Sequence, residues 1–371
     1  MDAMVLDTSF QDTFVIDSFE SFIWTDRFNQ PGDFELYIPI DGETTVDDFY
    51  SRYPFFKNYY IRNENSDHLM IIESLTIETN AETGNHIKIS GRSLESIPYR
   101  RIIWKKANFS NEGIQDVIYE LLYQNVMYTG DPLRTIKNFI FKKSTDPRIL
   151  NIKVTAQYYG ENLGETIQSL CEENGIGFQI ILNDNLQFEF SLVVGEDRSY
   201  DNLEGNPYVT FSPEFDNLLN SSYVTSNTNY KNYALIVGEN ISEGSEDRKT
   251  AKICDENTST IDPLNIREVF VDSSSTSTYQ EGDTEIKMSD DDYNELLINE
   301  GLSELSQYAE ETAFEGNMDA QQSFVYGADF FIGDIVQITN EYGISSKSTI
   351  SEIVMSQDDS GFTMYPTFRE L

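Results

Sequence analysis

Cysteine and histidine are nearly absent from this 371-residue chain, which carries two of each: Cys171, Cys254, His68 and His86. The cysteines stand 83 positions apart, so the sequence holds neither a CxxC knuckle nor a disulfide framework, and both are expected to be buried free thiols. A zinc centre wants three or four clustered donors, and neither histidine has another His or a Cys at ligand spacing. A surface or strand-pairing role is the expectation for both. Positive charge is scarce as well: 25 Lys and Arg face 64 Asp and Glu, a formal net charge of -39. Binding to DNA rests on Lys and Arg displacing counterions from phosphates, so a DNA reader is excluded and no stable nucleic-acid binding is expected. The acidity keeps a large protein soluble, or provides a surface that lets DNA pass without sticking.

Long apolar runs are missing too. None approaches the ~18 residues a transmembrane helix needs, and the opening MDAMVLDTSFQDTF lacks the basic-then-apolar pattern of a signal peptide. No membrane insertion is expected, and synthesis and folding in a cytoplasm are. The catalytic signatures GxSxG, HExxH, GxxxxGK and GxGxxG do not occur. The acidic clusters Asp290-Asp291-Asp292 and Asp358-Asp359 miss the spacing of a calcium loop and read as a helix cap and a hairpin turn. No catalytic, cofactor-binding or metal residue is therefore assigned.

What the chain has in quantity is aromatic side chains, 22 Tyr and 24 Phe in a hydrophobic fraction of 39%, which excludes disorder and predicts a globular protein. At roughly 100 to 200 residues per domain, two to four domains are expected. Residues 1–105 read as strands: FESFIWTDRF runs into a Pro31-Gly32-Asp33 turn, and FELYIPI alternates Phe34, Leu36 and Ile38 against Glu35, Tyr37 and Pro39. Leu69 to Ile77, a turn at residues 81–85, and His86 to Ser90 form a second hairpin. Residues 106–206 read as an α+β unit, with one helix capped by Ser110 and carrying Ile114, Val117, Ile118, Leu121 and Leu122. A second helix carries Leu163, Ile167, Leu170 and Cys171, and the strands FQIIL and LQFEFSLV flank Asn183-Asp184-Asn185.

Strands resume at 207–241. Residues 242–317 form an insertion with an acidic loop over 242–262, a low-complexity SSSTST patch at 273–278, and a helix capped by Ser289 with Leu296, Leu297, Leu302 and Leu305 as its apolar stripe. FVYGADFF, DIVQITN, KSTISEIVMS and FTMYPTF close the chain as strands over 318–371. The hairpin around Ile71-Ile72-Glu73-Ser74-Leu75 resembles the one around Ile350-Ser351-Glu352-Ile353-Val354, and each is preceded by a Gly-Asp turn, at Gly32-Asp33 and Gly333-Asp334. The pattern suggests two related small sheets or barrels, at 1–105 and at 207–241 with 318–371, into which the other units are inserted.

Three groups of residues carry a family resemblance. They are Trp24-Thr25-Asp26-Arg27-Phe28 with Pro31-Gly32-Asp33-Phe34-Glu35-Leu36 and Pro39; Gly91-Arg92-Ser93-Leu94 with Arg100-Arg101-Ile102-Ile103; and Tyr326-Gly327-Ala328-Asp329, Ile332-Gly333-Asp334-Ile335-Val336, Tyr342-Gly343 and Tyr365-Pro366-Thr367-Phe368. In that order they resemble the hub proteins of siphophage and prophage tail tips, over essentially the whole chain. The resemblance implies a mainly β, baseplate-hub-like fold: two small β-barrel domains with inserted α+β and helical units. It further implies a homotrimer at the virion tail tip that meets distal tail or tail-tube ring proteins, the tape-measure protein and tip or receptor-binding proteins, and that lines the DNA exit channel. Two similar barrels per chain would let a trimer present six alike surfaces to a hexamer.

Two departures matter. Lys347 stands where the family pattern leads one to expect arginine, which puts a bidentate contact there in doubt. The chain also ends three residues after Phe368, where many tail-tip proteins of this kind carry a lytic or receptor-binding region, so no lytic activity is expected. Two rival readings remain: a tail-associated peptidoglycan hydrolase, which needs only a carboxylate pair among many acids, and a carbohydrate-binding adhesion module using exposed members of Tyr59-Tyr60, Phe55-Phe56 or Tyr158-Tyr159.

Overall fold

The computed structural model describes residues 1–40, 59–80, 84–218, 220–242, 244–256, 260–281, 284–317 and 324–370. Phe55-Phe56 and the predicted turn at 81–83 lie outside the described residues. The first segment is an antiparallel array of β1 (Ala3–Leu6), β2 (Asp12–Ile16), β3 (Ser21–Arg27), β4 (Asp33–Ile40), β5 (Tyr60–Asn63), β6 (Leu69–Asn80) and β7 (Gly84–Ser93), in the order β2-β1-β5-β6-β7-β4-β3. In β4 the expected alternation holds, with Phe34, Leu36 and Ile38 buried between half-exposed Glu35 and Tyr37. β6 starts as a continuous apolar run, Leu69-Met70-Ile71-Ile72, because both of its faces are covered. Met70 and Ile72 enter one core, and Leu69 and Ile71 enter another.

The second core belongs to the α+β unit: β8 (Ala107–Gly113), α1 (Ile114–Leu122), β9 (Phe139–Lys142), α2 (Pro147–Leu150), β10 (Lys153–Tyr158), α3 (Leu163–Glu173), β11 (Gly177–Leu182) and β12 (Phe188–Val193). β8 pairs with β10, and β12 lies between antiparallel β11 and parallel β9. The helical faces predicted for α1 and α3 are buried here, together with Leu94 and Ile97 from the end of the first sheet. The predicted N-cap at Ser110 is not one. β8 runs on to Gly113, which occupies the cap position without a side-chain bond, because pairing with β10 outweighs what a serine cap would contribute.

Beyond residue 206 lie β13 (Thr210–Phe211), β14 (Asn220–Ser226), β15 (Tyr233–Asn240), β16 (Arg248–Cys254), β17 (Glu268–Asp272), β18 (Thr278–Glu281), β19 (Thr284–Lys287), α4 (Asp290–Ser306), β20 (Glu311–Asn317), β21 (Ile335–Thr339), β22 (Ser345–Asp358) and β23 (Gly361–Glu370). α4 packs Tyr293, Leu296, Leu297 and Leu305 against the sheet β16-β15-β17, and Ser289 caps it as expected by accepting from Asp292 N. Three expectations for this region are corrected. The acidic loop contains strand β16, since Ala251 and Ile253 alternate toward α4 within an otherwise polar run. The SSSTST patch is not a surface loop: Ser273, Ser275 and Ser277 are buried, and small side chains suit a segment packed under a helix, where Tyr293 Oη donates to the Ser275 carbonyl at 2.8 Å. FVYGADFF is a turn, closed by Gly327 N donating to Phe330 O and Val325 N to Asp329 Oδ2.

The last strands order as β14-β20-β23-β22, with β21 also on β22 and β13 parallel to β21. β22 then pairs antiparallel with β3, from Arg27↔Glu352 to Ser21↔Asp358. Among the described residues, the first and last segments thus belong to one thirteen-stranded sheet over one core, in which Phe22, Trp24 and Phe34 join Phe211, Phe330, Ile353, Met355 and Phe368. The two hairpins that resemble each other in sequence each contain one bulge, between Ile72 and Ser74 in β6 and between Ile350 and Glu352 in β22. Phe368 is 2% exposed and packs 5.3 Å from the Phe211 ring. Phe368→Ala is expected to lower unfolding free energy by ~3–5 kcal/mol, read from urea denaturation.

Candidate functional site

Among the described residues no group of three or more His, Cys, Asp or Glu is placed to hold a metal ion. Asp290 pairs with Lys249 at 2.6 Å and Asp358 Oδ1 accepts from Ser360 N, so the acidic clusters serve a helix start and a turn. Cys171 is buried and free, and burial pushes its thiol well above the ordinary range; Cys254 is only half-buried. His86 pairs with Glu20 at 2.9 Å.

His68 departs from the surface role expected of it. Its Nδ1 lies 3.0 Å from Oε1 of Glu95, whose side chain is 1% exposed, and the same oxygen accepts from Ile180 N in β11 at 2.8 Å. Beside it Asp26 accepts from Trp24 Nε1 at 2.9 Å and from Ser66 Oγ at 2.8 Å. Burial alone would push His68 down, but the carboxylates of Glu95 and Asp26 outweigh it and raise the imidazole to about 9. Burial acts upward on Glu95, and His68 and the Ile180 amide hold it below the usual carboxylate range; Asp26, where burial dominates, is raised. The cluster is a buried ion pair that ties the first sheet to the α+β unit. Its groups are enclosed, so it positions elements and offers no access for a substrate.

Several residues of the three motif groups meet along the junction between the first sheet, the α+β unit and the last strands. Arg27, on the β3–β22 seam, donates to Glu352 Oε1 at 2.7 Å, Asp33 Oδ2 at 2.8 Å and the Pro31 carbonyl at 3.0 Å. Gly32 and Ser93 exchange two bonds, Gly32 N to Ser93 Oγ and Ser93 N to Gly32 O, each 2.9 Å. Glu73 accepts from Arg92 and Arg100, at 2.7 and 2.8 Å. Phe28 is wedged where its ring would meet a Cβ on Gly333 at 2.2 Å and its carbonyl one on Gly177 at 2.3 Å. Gly333 also has φ +88, so glycine is required there by conformation and by space. Asp334 accepts from Arg198 Nε at 2.6 Å, Glu196 N at 2.8 Å and Phe331 N at 2.9 Å, with side chains 13% and 3% exposed across the ion pair. Lys347 pairs with Asp201 instead of making a bidentate contact.

Sequence reasoning missed Glu95 and Arg198 as members of this junction. Glu95 had a signal, a lone acid in the apolar run Leu94-Glu95-Ser96-Ile97, whereas Arg198 in a polar loop had none. The junction fastens three parts of the fold together.

The family model described as Siphovirus ReqiPepy6 Gp37-like protein matches residues 2–368, and the chain belongs to that family of siphovirus tail proteins. In fold it is similar to the 43 kDa tail protein of prophage MuSo2 from Shewanella oneidensis, at 11% identity and TM-score 0.58, over 100% of this chain and 98% of that one. It is also similar to the tail protein from Neisseria meningitidis MC58, at 12% identity and TM-score 0.55 over 100% and 96%. A third is prophage tail protein gp18 from Listeria monocytogenes EGD-e, at 12% and 0.50 over 99% and 94%. No curated protein matches the chain.

Two outcomes follow from the buried charges. His68 binds its proton more tightly folded than unfolded, so its contribution is full below pH 6.5 and is lost as pH rises through about 9. The unfolding free energy of the natural protein, read from urea denaturation, is expected to fall over that window by on the order of 2–3 kcal/mol, and that of His68→Asn to stay flat. Asp334→Ala leaves Arg198 buried without its partner and should cost ~3–5 kcal/mol in the same assay.

Proposed function

We propose that this tail protein is the hub of the tail tip: a homotrimer that joins the tail-tube or distal tail ring to tip or receptor-binding proteins, with the tape-measure protein and DNA leaving through its centre. The observation that carries the reading is the repeated bulged hairpin, β6–β7 and β22–β23, held in one sheet by the β3–β22 seam. Two alike hairpin units per chain give three copies six alike surfaces, which matches a threefold hub to a sixfold ring. In this reading residues 1–105 and the pair 207–241 with 318–371 are the two small barrel domains, and 106–206 and 242–317 are the units inserted between them. The net charge of -39 suits a channel wall that DNA passes without adhering.

The protein acts by holding partners and has no reaction of its own; the buried carboxylates of Asp26, Glu95 and Asp334 are each taken up by hydrogen bonds or an ion pair within the fold. Incubated with purified peptidoglycan, it is expected to release no soluble fragments, and fragment release lost in an acid-to-amide variant would overturn that. Imaging of intact tails tests the hub directly. Three copies at the distal end of the tube, with acidic side chains toward the lumen, are expected; six copies, a position along the tube, or a basic lumen contradict the reading.

A further inference from the structure

The excess of acid is not spread evenly. Residues 100–153 hold ten Lys and Arg against five Asp and Glu, so the rest of the chain has 15 of the 25 bases and 59 of the 64 acids. Within this basic unit two cations lie side by side without an ion-pair partner among the described residues. The Arg134 guanidinium stacks 3.7 Å over the Trp104 ring and reaches the Ile102 carbonyl and Asn125 Oδ1, each at 3.3 Å. Burial first, and then the neighbouring charge of Arg101, pulls Arg134 below its ordinary range, while Asp131 opposes. The Nε of Arg101 is buried with no hydrogen-bond partner among the described residues. Around the pair, Ile102 is 48% exposed, Trp104 55%, Tyr128 69% and Leu133 93%.

This surface is stiff. Buried Asn125 accepts from Trp104 N at 3.2 Å and donates to the Leu121 carbonyl at 2.9 Å, which fixes the segment carrying Trp104 to helix α1. The turn bearing Leu133 is closed by Arg134 N and Thr135 N on the Asp131 carbonyl, by Leu133 N on Asp131 Oδ1 and by Ile136 N on the Val126 carbonyl. Such a turn cannot fold its leucine inward. Exposed Trp and Tyr beside half-buried Arg101 and Arg134 on a rigid support, with the guanidinium pair short of an anion, is the composition of an interface hot spot.

We propose that the patch of Arg101, Ile102, Trp104, Tyr128, Leu133 and Arg134 docks on the acidic surface of a second copy of this chain. The occupant is chosen by charge. A polynucleotide drawn to the patch would press its phosphates against the acidic remainder of the molecule, whereas a second copy brings acidic remainder to basic patch. The contact is heterologous, patch to a different surface, and repeated head to tail it closes a ring. This rests on the trimeric reading above and names the surface that makes it.

The test has two arms on the full-length protein. In light scattering over a range of concentration, Arg134→Glu and Trp104→Ala are each expected to raise the concentration for half-assembly at least about tenfold. Lys252→Glu, the same charge change on exposed β16, is expected to leave it within about twofold. In intact tails, a benzophenone photocrosslinker in place of Leu133 is expected to yield covalent dimers of this chain, attached in an acidic stretch. If tails contain three copies but the crosslinks go to nucleic acid or another protein, or if Arg134→Glu assembles like the natural chain, this inference falls and the hub reading stands. If tails contain a single copy, both fall.

Discussion

The antiparallel seam between β3 and β22 is the constraint on which the rest of the structure depends. It brings residues 21–27 against residues 352–358, more than 320 positions later in the chain, and turns two local arrays into one sheet over one core. Loop closure over such a separation is entropically costly, and the cost grows only slowly with length once the chain is long. It is offset where apolar area is densest: Phe22 and Trp24 on one strand and Ile353 and Met355 on the other are all fully buried. Arg27 then bridges the seam by donating to Glu352 while holding Asp33 of the adjacent strand, which fixes register as well as proximity.

Once the seam is closed, the α+β unit has a platform. Leu69 and Ile71 on the reverse of β6 supply the apolar part of it, and the His68–Glu95 pair, with Ile180 N as its third member, supplies the directional part. Buried ion pairs are poor stabilisers compared with apolar contacts, but a misdocked unit would leave the charge unpaired at a cost of several kcal/mol. The arrangement therefore selects one docking geometry. A tail protein that must present its surfaces in one fixed arrangement has use for that selectivity.

Much of this was legible in the sequence, and the pattern of what was not is physical. Period-2 alternation found β4, and 3.6-residue spacing found α1, α3 and α4, because each presents one face to one core. The likeness of the two hairpins was legible too, since strands and turns leave local marks, whereas the bulge that each contains was not. Misses occurred where tertiary contact overrode local preference. Ser110 has the chemistry of a cap but sits in a strand held by β10, and the serines at 273, 275 and 277 read as loop because their burial depends on Tyr293 sixteen or more positions away. His68 could not be assigned to a buried ion pair from sequence, as its partner Glu95 is 27 residues on and Asp26 is 42 residues back.

If the seam organises the fold, β3 and β22 open together. Native-state hydrogen exchange of the backbone amides of residues 21–27 and 352–358, followed against urea, measures this directly. The account predicts that both sets exchange through one opening with the same free energy and the same dependence on denaturant, as strong as for the Trp24 core. Exchange of β22 through a separate, weaker opening, with β3 still protected, would contradict it.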